Sequence, residues 1–273
     1  MATRTPSPAA RSAAPATRAD VVRQVGVLVS AVLAIGGAFL GSGAFVGTPI
    51  ADAAGGVLSA DATPLAPASP AFSIWSVIYT GLAAYAVWQV LPGQRTDPRQ
   101  RATGWWIALS MILNAAWVLA VQGDLLGLTV VVIVALLAVL CLIVVRLTRS
   151  RPRNLVDAVV VDGTIGLYLG WVSVATAANT AAVLASAGVD LPSDPTGVAV
   201  IAAVAVVGAA LAWWSRGRLA IAAAQVWGLS WIAVGRLTGE PPSTPVGIAA
   251  IAAAAVIAVV AVVARLRRRD ARR

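Results

Sequence analysis

Eight apolar stretches, each roughly 20 residues or longer and separated by short polar breaks, dominate this chain, at 21–46, 72–91, 104–121, 125–146, 156–187, 196–214, 218–236 and 246–265. Runs of this length suit a bilayer, where every backbone N–H and C=O must be paired within its own segment and only helices or closed barrels can cross. The first run is followed by Ala51-Asp52-Ala53, which has the look of a signal-peptidase site. It is far longer than the ~7–15 residues of a signal-peptide core, so it reads as an uncleaved helix. The fifth run is long enough to tilt or to project beyond the bilayer. The seventh is interrupted by Gln225, Ser230 and Arg236. The expected fold is an all-α membrane protein with eight transmembrane helices.

Charge sorting tests both the span count and the direction. Charged residues make up only 11% of the chain, against about 25% in a soluble domain. All 20 cationic residues are arginines. With eight crossings and a cytoplasmic N-terminus, every arginine except Arg236 falls on the cytoplasmic side, in the N-terminal tail, the turns near 95–101, 146–153 and 216–218, and the stretch 265–273. Retained cations follow this asymmetry, and an odd number of spans would break it. Both termini are therefore expected in the cytoplasm of a multi-pass protein of the cell membrane. The opposite loops carry Asp52, Asp61, Asp124, Asp190, Asp194 and Glu240. The longest of them, 47–71, contains Pro49, Pro64, Pro67 and Pro70. It is too structured in composition for a flexible linker and too polar for lipid, which suits a cover over an outward-facing cavity.

Several chemistries are excluded. With no histidine and one cysteine, Cys141, the chain lacks the usual nitrogen and sulfur ligands of a zinc or copper site, a Ser-His-Asp triad and a disulfide. An enzyme is not expected. The net charge of +9 resides in turns and tails rather than on a soluble basic face, so no nucleic-acid partner is expected. Cys141 sits in the apolar helix VVVIVALLAVLCLIVV and reads as lipid-facing packing.

Tryptophan is over-represented, at 10 residues. Trp88, Trp105, Trp106, Trp213 and Trp214 fall at cytoplasmic helix ends, where indole rings normally sit at the bilayer interface. Trp75, Trp117, Trp171, Trp227 and Trp231 lie deeper or toward the outside. Trp75 and Tyr79 share one helical face, as do Tyr168, Trp171 and Ala175, Asn114 and Trp117, and Trp227 and Trp231. Asn114 and Asn179, inside apolar runs, must face a partner helix or a cavity, and either role fits. Asp162, in VVVDGTIGLYLGW, is open to a proton or cation role, but pairing with Arg153 or interfacial water is the plainer expectation. Gly37 with Gly41 and Gly43 with Gly47 give two GxxxG spacings, a pattern of close helix contact compatible with a homodimer.

The segments PASPAFSIWSVIYTGLAAYAVWQVLP from Pro67, NAAWVLAVQG from Asn114 and LYLGWVSVATAANTAAVL from Leu167 resemble the tryptophan-rich sensory protein and translocator protein family. The resemblance covers residues 20–187. It implies a five-helix bundle, followed by an additional three-helix segment at 188–265, between basic cytoplasmic tails at 1–19 (expected to be disordered) and 266–273. It also implies a pocket between helices, capped by the first loop, that accepts tetrapyrroles and other flat hydrophobic molecules. Carried over by motif, Trp75, Tyr79, Asn114, Trp117, Tyr168, Trp171, Ala175 and Asn179 would line or frame it. The chain departs from the family pattern at Pro70-Ala71-Phe72, where an aromatic is usual and Phe72 stands three residues before Trp75. A porphyrin bound here would be stacked without histidine ligation to iron. The competing expectation is a secondary transporter of a small hydrophobic molecule that uses all eight helices, although the internal repeat beginning at Trp105 and Trp213 is weak.

Overall fold

A computed structural model describes residues 15–42, 48–189 and 193–270. Among them are eight helices long and apolar enough to cross a membrane, as the hydropathy predicts: α1 (Arg18–Ser42), α2 (Ile74–Trp88), α3 (Pro98–Gln122), α4 (Leu126–Thr148), α5 (Leu155–Ser186), α6 (Ser193–Trp214), α7 (Leu219–Thr238) and α8 (Thr244–Asp270). The expected tail residues 1–14 and 271–273, along with Gly43, Gly47 and Asp190, lie outside the described residues.

Several helices overrun their hydropathy limits because polar ends find partners. The α3 helix begins at Pro98, where fixed φ suits a first turn. The carboxylate of Asp97 caps it, accepting from the Arg99 backbone N–H at 2.6 Å. At α5 the Asn154 side chain accepts from the Asp157 N–H at 2.8 Å. A π-helical turn over Ala158–Gly163 then joins that first turn to the regular helix Thr164–Ser186. The α5 rod has 32 residues, about 48 Å at the helical rise, and so exceeds the ~30 Å hydrocarbon core. The α8 helix continues through the basic stretch as far as Asp270.

Helices α1 and α3, α3 and α4, and α4 and α5 pack as neighbours, and α7 sits between α5 and α8, with α6 against α8. One apolar cluster is built from α1–α5 together with Ile221 and Ala224 of α7. A second comes from α6–α8 with Leu65 of the first loop and Val174 of α5. Contact between α5 and α7 depends on glycine. A Cβ on Gly170 would collide with the Ile221 carbonyl oxygen, and one on Gly166 would stand 2.8 Å from the Ala220 Cβ. These two glycines form a GxxxG pair, the spacing that lets membrane helices approach closely. Gly37, of the pair expected on α1, faces Ala115 of α3 in the same chain.

The interfacial tryptophans divide. Trp105, Trp213 and Trp214 are exposed, while Trp106 lies under the Arg146 guanidinium, 5.1 Å from the ring centroid. Trp88 packs against the first cluster. Cys141 is half-buried against that cluster and does not face lipid alone.

Candidate ligand-binding site

The motif-bearing faces of α2, α3 and α5 converge. Trp75 and Tyr79 of α2 stack with centroids 5.3 Å apart. Trp75 also meets Trp171 edge-on at 6.3 Å, and Phe72 meets Trp171 edge-on at 5.7 Å. Such edge-to-face contacts match the quadrupoles of the rings. The Tyr79 hydroxyl donates to Asn114 Oδ1 at 2.6 Å. Trp117 Nε1 donates to Asn179 Oδ1 at 3.3 Å, and the Asn179 amide donates to Thr129 Oγ1 of α4 at 3.1 Å.

These side chains surround a cavity of about 70 Å³ lined by Trp75, Asn114, Trp117, Trp171, Ala175 and Asn179, with Ile133 and Leu136 of α4 at its wall. Asn114 and Asn179 therefore serve both of the roles open to them: each bonds across helices and each faces the cavity. Trp171 is only 2% exposed, and its Nε1–H is buried with no hydrogen-bond partner. An unpaired buried donor costs about 1–3 kcal/mol. Tyr79 and Tyr168 do not line the cavity. Tyr79 stands behind Trp75, and Tyr168 is fully buried with its hydroxyl donating to the Ser110 carbonyl at 3.2 Å. They hold the wall in place.

The first loop closes the site. Its residues Ile50, Val57, Leu58, Ser59, Ala66 and Pro67 join the lining. This loop is fastened to α7, a connection that the sequence did not signal. Trp227 Nε1 donates to the Ala71 carbonyl at 2.9 Å, and the Ala68 N–H donates to the Trp231 carbonyl at 3.1 Å. Arg236, only 1% exposed, donates to the carbonyls of Ala60, Thr63, Glu240 and Pro241 at 2.8–3.1 Å. The one arginine that the charge sorting sets apart is thus a strap across the cover. Its isolation in the charge sorting was the only available hint. Beside it, the Ser59 hydroxyl donates to Asp61, which together with the Asp61 backbone amide and the Arg236 charge holds that carboxyl below its ordinary range.

The opposite end, hereafter the arginine end, is closed by ions. Arg99 of α3 pairs with Asp157 at 2.6 Å and with Asp162 at 2.7 Å, and Arg218, just before α7, pairs with the other Asp162 oxygen. The partners of Asp162 are thus Arg99 and Arg218, not Arg153. The Arg153 side chain reaches Asp97 instead, at 2.7 Å. Both cations come from outside α5, one from α3 and one from the turn before α7.

A tetrapyrrole does not fit the cavity as it stands, since ligands of drug size need roughly 300 Å³ or more. The chain also offers no histidine to an iron. Groups of three or more His, Cys, Asp or Glu suited to a metal are absent among the described residues.

No curated protein matches the chain, and no solved structure does. A family model described as TSPO-like protein matches residues 27–263. That match runs well past the 20–187 covered by the motifs and takes in α6–α8, so on both the motif geometry and the extent of the match the chain belongs to the TSPO-like protein family.

Proposed function

We propose that this multi-pass membrane protein binds a small, flat hydrophobic molecule between α2, α3 and α5 beneath the first loop. The observation that carries this reading is the convergence of the Trp75, Trp117 and Trp171 indoles with the Asn114 and Asn179 amides on one cavity beneath the first loop. A ligand with a polar edge meets the amides and stacks on the indole faces, which bury large area at little entropic cost. A porphyrin belongs to the same class, but it enters only with the loop displaced, and it is held by stacking. The positive-inside asymmetry supports a location in the cell membrane with both termini cytoplasmic. Transport by all eight helices has less support, because the loop-end cavity and the large cavity at the arginine end share no lining residue.

Titration of the purified protein with protoporphyrin, and separately with a smaller flat aromatic probe, followed by tryptophan quenching, tests this. Saturable quenching is expected, weakened several-fold in Trp171→Phe, which replaces the indole by a smaller phenyl ring without an N–H, and blocked in Ala175→Phe, which fills the cavity. Trp213→Ala leaves it unchanged. Quenching that does not saturate, or that both cavity variants leave intact, rejects the site.

A further inference from the structure

At the arginine end lies a cavity of about 1320 Å³ that the proposed ligand site does not use. Three separate segments bring arginines to its lining: Arg149 and Arg151 from the α4–α5 turn, Arg216 and Arg218 from the α6–α7 turn, and Arg265, Arg267 and Arg268 from α8. Among the described residues, the only carboxylate in its lining is Asp162, whose two oxygens are already taken by Arg99 and Arg218. Among the described residues, the side chains of Arg149, Arg151, Arg216 and Arg265 have no ion-pair or hydrogen-bond partner. Arg218 has a buried Nε without one.

The turn that carries Arg216 and Arg218 is built at a cost. Arg216 has φ +58° and Gly217 φ +67°, and a left-handed arginine is disfavoured by about 1 kcal/mol or more. A Cβ on Gly217 would lie 2.5 Å from both the Ala261 carbonyl oxygen and the Arg265 N–H nitrogen, so only glycine lets this turn press against α8. Topology alone asks that arginines be retained on one side. It does not ask for seven arginines converging on one hollow, with backbone strain to hold two of them there.

We infer that this hollow binds a phosphate-bearing anion. Guanidinium groups match phosphate oxygens in geometry and charge. Exposed Trp213 and Trp214 line it, and Val262, Val263 and Leu266 are exposed on the same helix as its Arg265 and Arg267. Rings of this kind sit at headgroup level and the apolar side chains suit acyl chains, so an acidic phospholipid is the natural source of the phosphate.

Native mass spectrometry of the detergent-solubilised full chain, offered phosphatidylglycerol, phosphatidylcholine or inorganic phosphate, tests the inference. Phosphatidylglycerol retained at least tenfold over phosphatidylcholine, falling to parity in Arg149→Gln/Arg151→Gln/Arg216→Gln, supports it and makes the source a lipid. Retention of inorganic phosphate lost in the same variant supports it with a soluble source. Equal retention of both lipids without phosphate, or a lipid preference the variant keeps, overturns it. Should the variant fail to fold, the wild-type melting temperature decides: a rise with phosphatidylglycerol or phosphate that fades with added salt supports the site, and its absence overturns it. Porphyrin titration of the same variant separates this result from the fate of the loop-end site.

Discussion

The two ends of the bundle each bury an arginine and neutralise it by different means. At the loop end Arg236 is surrounded by four backbone carbonyls, two from the cover and two from the turn after α7. At the arginine end Arg99 is held by two carboxylates of α5. Carbonyl dipoles can be exchanged for water when a loop lifts, whereas a carboxylate stripped of its cation is left charged in a poor solvent. The loop end is therefore constructed to be opened at moderate cost, and the arginine end to stay shut.

Removing Arg99 strains this contrast most. Arg99→Leu leaves Asp157 without its guanidinium partner and Asp162 with only one, and a loss of about 3–5 kcal/mol is expected from breaking a buried pair on one side. Thermal unfolding in detergent reads it, and adding Asp157→Asn should recover part of the loss. Full wild-type stability in the single variant would mean that the network is solvated and closes nothing.

Arg236→Met is expected to act locally and to a smaller extent, about 2–3 kcal/mol. Hydrogen exchange should rise over residues 57–66 while α3 and α5 keep their protection, and protoporphyrin should associate faster. Faster exchange throughout the bundle would instead make Arg236 a general support. Smallest is Tyr79→Phe, which deletes the hydroxyl bonded to Asn114 and should cost about 1 kcal/mol. Because Tyr79 stands outside the cavity, probe affinity should change less than in Trp171→Phe.

Much of this architecture was legible in the sequence because the bilayer reduces the problem to hydropathy and charge. The 104–121 run marks α3, but the start at Pro98 depends on Asp97 and on acidic partners that a hydropathy window counts as exposed polar groups. The aromatic and amide faces of α2, α3 and α5 were visible as spacings of three and four, and six of their residues line the cavity. Tyr168 shares that face with Trp171 yet turns away, since its phenol is drawn to the Ser110 carbonyl. Periodicity says nothing of such cross-helix partners. The same blindness hid the pairing of Asp162 with Arg99 and Arg218, more than fifty residues away in each case, and the reach of Arg236 to the loop.

Helix α7 has a consequence for dissection. It fills the groove left by Gly166 and Gly170, contributes to both apolar clusters and grips the cover at three places. A fragment cut after residue 187 would not be a miniature of the whole. It would show lipid a seam of bare backbone on α5, lose the cation that shares Asp162, and keep its aromatic chamber under an untethered lid.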